Sequence, residues 1–153
     1  MMVVATETDV KQFAQLPALC PVFNVRAASR LLTQLFDDTL KPSGLQITQL
    51  SILVGITTSE NPTINQLAKI LVMDRTTLTR GLKPLEKIGL IKIKKGNDKR
   101  TTLLEVTPKG LKVMYKALPY WKQARDRVAN QYGEKFLDGL NKSLASVHQE
   151  KIS

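Results

Sequence analysis

One cysteine and one histidine in 153 residues exclude much of the chemistry available to a small protein. A lone thiol, Cys20, closes no disulfide within the chain, and a reducing, cytoplasmic home is expected. His148, without a second histidine or clustered cysteines, cannot build a metal site, so no metal and no cofactor are expected. No apolar run approaches the roughly 20 residues that a membrane-spanning helix needs. Residues Met1 to Gln15 lack the basic start and apolar stretch of a secretion signal, and no membrane partner is expected. Catalytic signatures are missing too: there is no phosphate-cradling glycine loop and no nucleophile elbow. Asp37 and Asp38 are adjacent, so on a helix they diverge and form no carboxylate pair. An enzyme is therefore not expected.

What the chain has in excess is positive charge, and it is unevenly spread. Of the net +10, residues 61–110 carry +7 and residues 111–153 carry +4, while residues 1–60 sum to −1. Concentrated cationic charge is what a phosphate-binding surface requires. An anionic membrane or an acidic protein could also attract a basic chain. Neither explains why the excess falls on one two-faced helix and one hairpin.

The stretch from Pro62 to Thr107 carries that helix and hairpin. Thr63 and Gln66 have the spacing of a capping box, and Ile64, Leu67, Ala68 and Leu71 give the short helix behind it an apolar face. Asp74 is the expected N-cap of a second helix, so the pair has the outline of a helix-turn-helix. On a helical projection Arg75, Thr76, Thr79, Arg80, Lys83, Glu86 and Lys87 share an arc of about 140°, with Leu78, Gly81, Leu82 and Leu85 opposite. Such a face suits a major groove, where arginine reads guanine and threonine meets thymine methyls or phosphates; a solvated amphipathic helix is the plain alternative. Leu90 to Lys95 alternates apolar and basic residues as a half-exposed strand does, the turn residues Gly96-Asn97-Asp98 follow, and Thr102, Leu104 and Val106 form a returning alternation. The hairpin tip carries Lys94, Lys95, Lys99 and Arg100, and an arginine there suits a narrow minor groove. The order helix, turn, helix and basic hairpin describes a winged helix.

These residues resemble the MarR-type transcriptional regulators. The match is carried by Thr48-Gln49-Leu50, Ile64 to Leu71, Met73 to Arg80, Leu85 to Ile91, Asp98-Lys99-Arg100 and Leu103 to Gly110. Asp98-x-Arg100 in the wing and the exit Val106-Thr107-Pro108-Lys109-Gly110 are its most specific pieces. The resemblance implies a mainly α (α+β) fold: a winged helix-turn-helix with a two-stranded β-wing, flanked by long N- and C-terminal dimerisation helices. It implies one domain over 1–153, with the winged helix at about 45–107 and helical parts at about 16–42 and 108–150. It further implies a homodimer on a pseudo-palindromic double-stranded DNA operator, most often as a repressor that answers a small aromatic or anionic effector. Carried over by position, Arg75 to Arg80, with Thr76, Thr77 and Thr79, fall on the recognition helix and Arg100 on the wing. Lys83 is the expected phosphate contact beside them, and Lys99 is expected to bind DNA from the wing tip beside Arg100.

The outer helices show the same plan in their residues. A first helix is expected from about Leu16–Pro21 to Leu40, burying Val25, Ala28, Leu32, Leu35 and Phe36. Thr48 is the expected cap of the next, whose Leu50, Leu53, Val54 and Ile56 face inward. Thr107-Pro108 starts a long helix, Pro119 should kink it, and Pro84 should bend or tighten the recognition helix. Leu137, Leu140, Leu144 and Val147 stripe the last helix; alone such a stripe reads as ordinary core, and the resemblance implies that this helix and the first pair with a second copy. Phe23, Phe36, Met114 and Trp121 are candidates to line an effector cleft, with ordinary core as the preferred reading. Cys20 lies where a peroxide-sensing branch of the resembled family keeps its thiol, but about two residues early on Ala27-Ala28-Ser29-Arg30. Relatives with Cys-x-Cys before a motif like Asn24-Val25-Arg26 have a second cysteine where Val22 stands here. An inert thiol is the preferred reading; a thiol-based oxidative-stress sensor, or a winged helix that binds only proteins, are the alternatives.

Overall fold

The computed structural model describes residues 7–96 and 101–149, and it forms two units, residues 1–35 and 36–153. In the first unit, α1 (Glu7–Leu19) precedes α2 (Pro21–Leu40), which runs on into the second. Helix α1 extends the sequence expectation, which started helical structure only near Leu16. Pro17 lies inside α1, whereas Pro21 occupies the first position of α2, where its missing donor removes no bond. Val25 and Ala28 are exposed and Leu32, Leu35 and Phe36 half-buried, so the stripe expected on this helix is not closed within one chain.

The second unit is built around a leucine-rich core. A 3-10 turn (Lys41–Ser43) leads to α3 (Ile47–Thr58), α4 (Ile64–Ile70) and α5 (Arg75–Lys87). Strands β1 (Ile91–Lys95) and β2 (Thr102–Val106) follow, then α6 (Pro108–Tyr132) and α7 (Glu134–Gln149). Leu40, Leu53, Ile56, Leu67, Leu78, Leu82, Leu85, Ile91 and Leu104 are fully buried, one set joining every element from α2 to the wing. Helix α3 is capped by Gln46 in extended conformation, not by Thr48, and Gln49 Oε1 accepts the Gln46 N–H at 3.0 Å. The Asp37 carboxylate takes the Ile47 N–H at 2.6 Å, tying the end of α2 to the start of α3. Ile52 is buried in α3 where Val54 was expected, and Val54 is 43% exposed. A helix this apolar has no single stripe from which to read its inner face.

The wing is a two-stranded antiparallel ladder running from Ile91↔Val106 to Lys95↔Thr102. Thr63 bridges to Leu103, and the Leu104 N–H donates to the Pro62 carbonyl at 2.9 Å, so the entrance of α4 is fastened to β2. Helices α5 and α6 both continue through their internal prolines, Pro84 and Pro119, without a break. Gly133 separates α6 from α7, and Arg125 spans the corner in a two-pronged bond to Glu134, at 2.9 and 2.8 Å.

The turn between α4 and α5 holds a strained residue. Val72 has φ +52°, a left-handed conformation that its branched Cβ disfavours. It is held there by the closing bonds of α4, Val72 N–H to Lys69 and Met73 N–H to Ala68, at 3.2 and 2.9 Å. Val72→Gly is expected to stabilise the protein by about 1 kcal/mol, because relief of about 1–3 kcal/mol of strain exceeds the entropic cost of glycine. Thermal denaturation should show a midpoint raised by roughly 2–4 °C for a chain of this size; a lowered midpoint would mean that Val72 packing outweighs the strain.

Candidate nucleic-acid interface

Helix α5 is positioned by caps at both ends and leucines on one side. The Asp74 Oδ1 accepts the Thr77 N–H at 2.8 Å, and the Thr77 hydroxyl donates to Oδ2 at 2.5 Å. These bonds, the hydroxyl first and the backbone N–H second, hold the Asp74 carboxyl below its usual range. The cap is thus fully charged above the ordinary carboxylate pKa and is lost only as pH falls through the lowered value. Upstream, the capping box of α4 forms as expected: Gln66 N–H to Thr63 Oγ1 at 3.2 Å and Thr63 N–H to Gln66 Oε1 at 2.8 Å.

Leu78, Leu82 and Leu85 are buried, which turns Arg75, Thr76, Arg80 and Lys83 outward. Arg75, Arg80 and Lys83 make no ion pair with any described residue, so their charge is available to a partner. Two of the expected threonines are already engaged. Thr77 serves the Asp74 cap, and the half-buried Thr79 gives its hydroxyl to the Arg75 carbonyl at 2.7 Å. In the wing, Lys92, Lys94 and Lys95 are exposed, but Lys94 is paired with Glu105, which lowers the pKa of that carboxyl. Lys99 and Arg100, with Asn97 and Asp98, lie outside the described residues.

The far end of α5 is closed by a Schellman-type pattern in which Gly89 takes φ +74°. The Leu90 N–H reaches the Leu85 carbonyl and the Gly89 N–H the Glu86 carbonyl, both at 2.9 Å. The three carbonyls that follow Lys87, those of Ile88, Gly89 and Leu90, are taken by one short segment at the start of α6. Lys109 Nζ donates to Ile88 O at 2.6 Å, Thr107 Oγ1 to Gly89 O at 2.7 Å, and Thr107 N–H to Leu90 O at 2.9 Å. Thr107 Oγ1 also accepts the Gly110 N–H at 3.0 Å, capping α6. Gly110 is required by the close approach, since a Cβ there would stand 2.2 Å from Leu90 O. The sequence had assigned Thr107 a cap; the bonds of Lys109 and the constraint on Gly110 join positions about 20 apart and leave no local signal.

A groove of about 690 Å³ runs between α3, the end of α4 and α6, with Leu50, Val54, Leu71, Met114, Leu118 and Trp121 among its walls. No charged side chain among the described residues lines it; Ser51, Thr57, Thr58 and Tyr115 supply the hydroxyls. Of the four cleft candidates, Met114 and Trp121 are there, and Phe23 and Phe36 are not among the lining residues. Apolar character alone could not distinguish them. The usable signal was the three- and four-residue spacing Leu111, Met114, Leu118, Trp121 on one face of α6. Cys20 sits between α1 and α2, half-buried, with its N–H on the Leu16 carbonyl at 2.8 Å.

A helix-turn-helix with an exposed cationic second helix, followed by a two-stranded hairpin, defines a winged-helix protein. The MarR family matches residues 45–102, from just before α3 into the wing. The transcriptional regulator MosR of M. tuberculosis, solved in complex with DNA, is 35% identical with a TM-score of 0.77, over 85% of this chain and 94% of that one. The HTH-type transcriptional regulator Hpr of Bacillus pumilus is 29% identical over 143 residues, 77% of this chain and 69% of its own. An E. coli MarR variant complexed with operator DNA shares the fold at 21% identity and a TM-score of 0.77, over 86% of this chain and 96% of that one. The chain belongs to the MarR family of transcriptional regulators. No helix among the described residues is long and apolar enough to cross a membrane.

Proposed function

We propose that the protein is a homodimeric repressor that reads a two-fold operator with α5 and is released by a small effector. The observation that carries the reading is the division of α5: three buried leucines on one side, and Arg75, Arg80 and Lys83 outward with no ion pair among the described residues. That MosR was solved with DNA supports a duplex as the partner. Arg75 and Arg80 reach base edges, Thr76 meets bases or phosphates, and Lys83 lies against the backbone; Lys99 and Arg100 enter the flanking minor groove. Thr77 and Thr79 act by fixing the first turn of α5.

The dimer is supported by apolar surface that one chain leaves open. On α7, Leu137, Leu140 and Leu144 are half-buried, Phe136 is 52% exposed and Val147 54% exposed. Pairing through such helices sets two recognition helices about one DNA turn apart. The effector occupies the groove along α6, whose volume falls within the roughly 300–1,000 Å³ of small-molecule sites. It favours one dimer shape by binding that shape more tightly. The protein works as a regulator and catalyses nothing.

Fluorescence anisotropy on a duplex selected by the protein from a random library, with unrelated DNA beside it over a salt series, tests the reading. Tight, salt-dependent binding to the selected duplex alone is expected. Lys83→Ala should weaken both duplexes alike and lower the salt slope by roughly one, as loss of a phosphate contact does. A loss confined to the selected duplex would instead make Lys83 a base reader.

A further inference from the structure

Helix α5 is held along its length only on its inner side, where Leu78, Leu82 and Leu85 are buried. Three leucines in a row set how deeply a helix seats, but they resist a swing of its ends weakly. Its start is fixed by the Asp74 cap. Its end, closed on itself by the Gly89 and Leu90 N–H bonds, is tied to the start of α6 by the segment Thr107–Lys109, which takes three successive carbonyls, those of Ile88, Gly89 and Leu90.

The outermost of these bonds is of a different kind from the others. Thr107 is buried, and its contacts belong to the packing of α6 on the wing root. Lys109 and Ile88 are both exposed, so water could satisfy the Ile88 carbonyl if the lysine were absent. The bond therefore adds little to stability, while a cation at 2.6 Å from the carbonyl just past the last turn of α5 is a favourable tie at the negative end of that helix. Base-edge hydrogen bonds are steeply angle-dependent, whereas a lysine or arginine on a phosphate tolerates small reorientations. A tie that limits the swing of α5 thus acts on sequence selectivity before it acts on affinity for DNA in general.

We propose that Lys109 is a positioning residue for sequence reading: its ammonium, bound to the Ile88 carbonyl, holds the end of α5 at the angle from which Arg75 and Arg80 meet base edges. The proposal rests on the reading of α5 as the DNA-reading helix.

The test compares the wild type, Lys109→Met and Lys109→Arg by anisotropy on the duplex that the wild type selects from a random library. Unrelated DNA, a salt series and thermal melting run alongside. Lys109→Met should bind the selected duplex about tenfold more weakly, with unrelated DNA, salt slope and melting midpoint unchanged, and Lys109→Arg should restore selectivity. Equal losses on both duplexes with a salt slope lower by about one would make Lys109 a phosphate contact and overturn the proposal. Unchanged selectivity, with or without a lower melting midpoint, would overturn it too. A wild type that selects no sequence would refute the reading beneath it, whatever Lys109→Met does.

Discussion

Gly110→Ala should destabilise the protein by about 3 kcal/mol, at the severe end of what a single added methyl does. On intrinsic preference alone the change would help, since glycine inside a helix costs about 0.5–1 kcal/mol relative to alanine. Geometry decides the other way. The new Cβ would stand 2.2 Å from Leu90 O and 2.7 Å from Val106 Cγ1. The valine methyl can rotate aside, but Leu90 O cannot, because it accepts the Thr107 N–H and lies at the root of the wing. Relief would have to come from moving the first turn of α6 off the end of α5, breaking the bonds of Thr107 and Lys109 together. Urea denaturation measures this directly; a loss below about 1 kcal/mol would show that α6 can back away freely.

Arg75 and Arg80 replaced together by alanine should abolish sequence selectivity while leaving the fold intact. Each arginine that reads a base contributes about 1–3 kcal/mol, so the pair is expected to cost about 2–6 kcal/mol on the selected duplex. At roughly 1.4 kcal/mol per tenfold, that is a fall of about thirtyfold to more than ten-thousandfold. Both side chains are exposed and neither enters an ion pair among the described residues, so the melting midpoint should move little. Anisotropy on selected and unrelated duplexes checks the prediction. A double variant that still distinguishes the two would place the reading elsewhere, with the wing as the next candidate.

Much of this site could be read from local sequence because its determinants are local. A capping box needs four residues, Thr63 to Gln66, and an N-cap needs Asp74 and the turn behind it. The leucine side of α5 follows from spacing alone. What could not be read involves partners distant in the chain or competing signals of equal strength. Gln46 displaces Thr48 as the cap of α3 because the extended turn falls one residue before Ile47, and glutamine gives no strong cap signal. Pro84 and Pro119 are expected to bend or kink their helices, and both helices continue through them, as packing overrides the loss of one hydrogen bond. The carbonyls of Ile88 and Gly89 find Lys109 and Thr107 only after the wing has folded back.

The split character of α5 bears on how such a protein acquires a new target. The residues that keep the helix in place, Leu78, Leu82 and Leu85, are not the residues that face outward. Changes at Arg75, Thr76, Arg80 and Lys83 can therefore accumulate with little penalty to folding. After gene duplication, one copy could drift toward a different operator through exchanges at four positions, while its scaffold stayed under the constraints it already had.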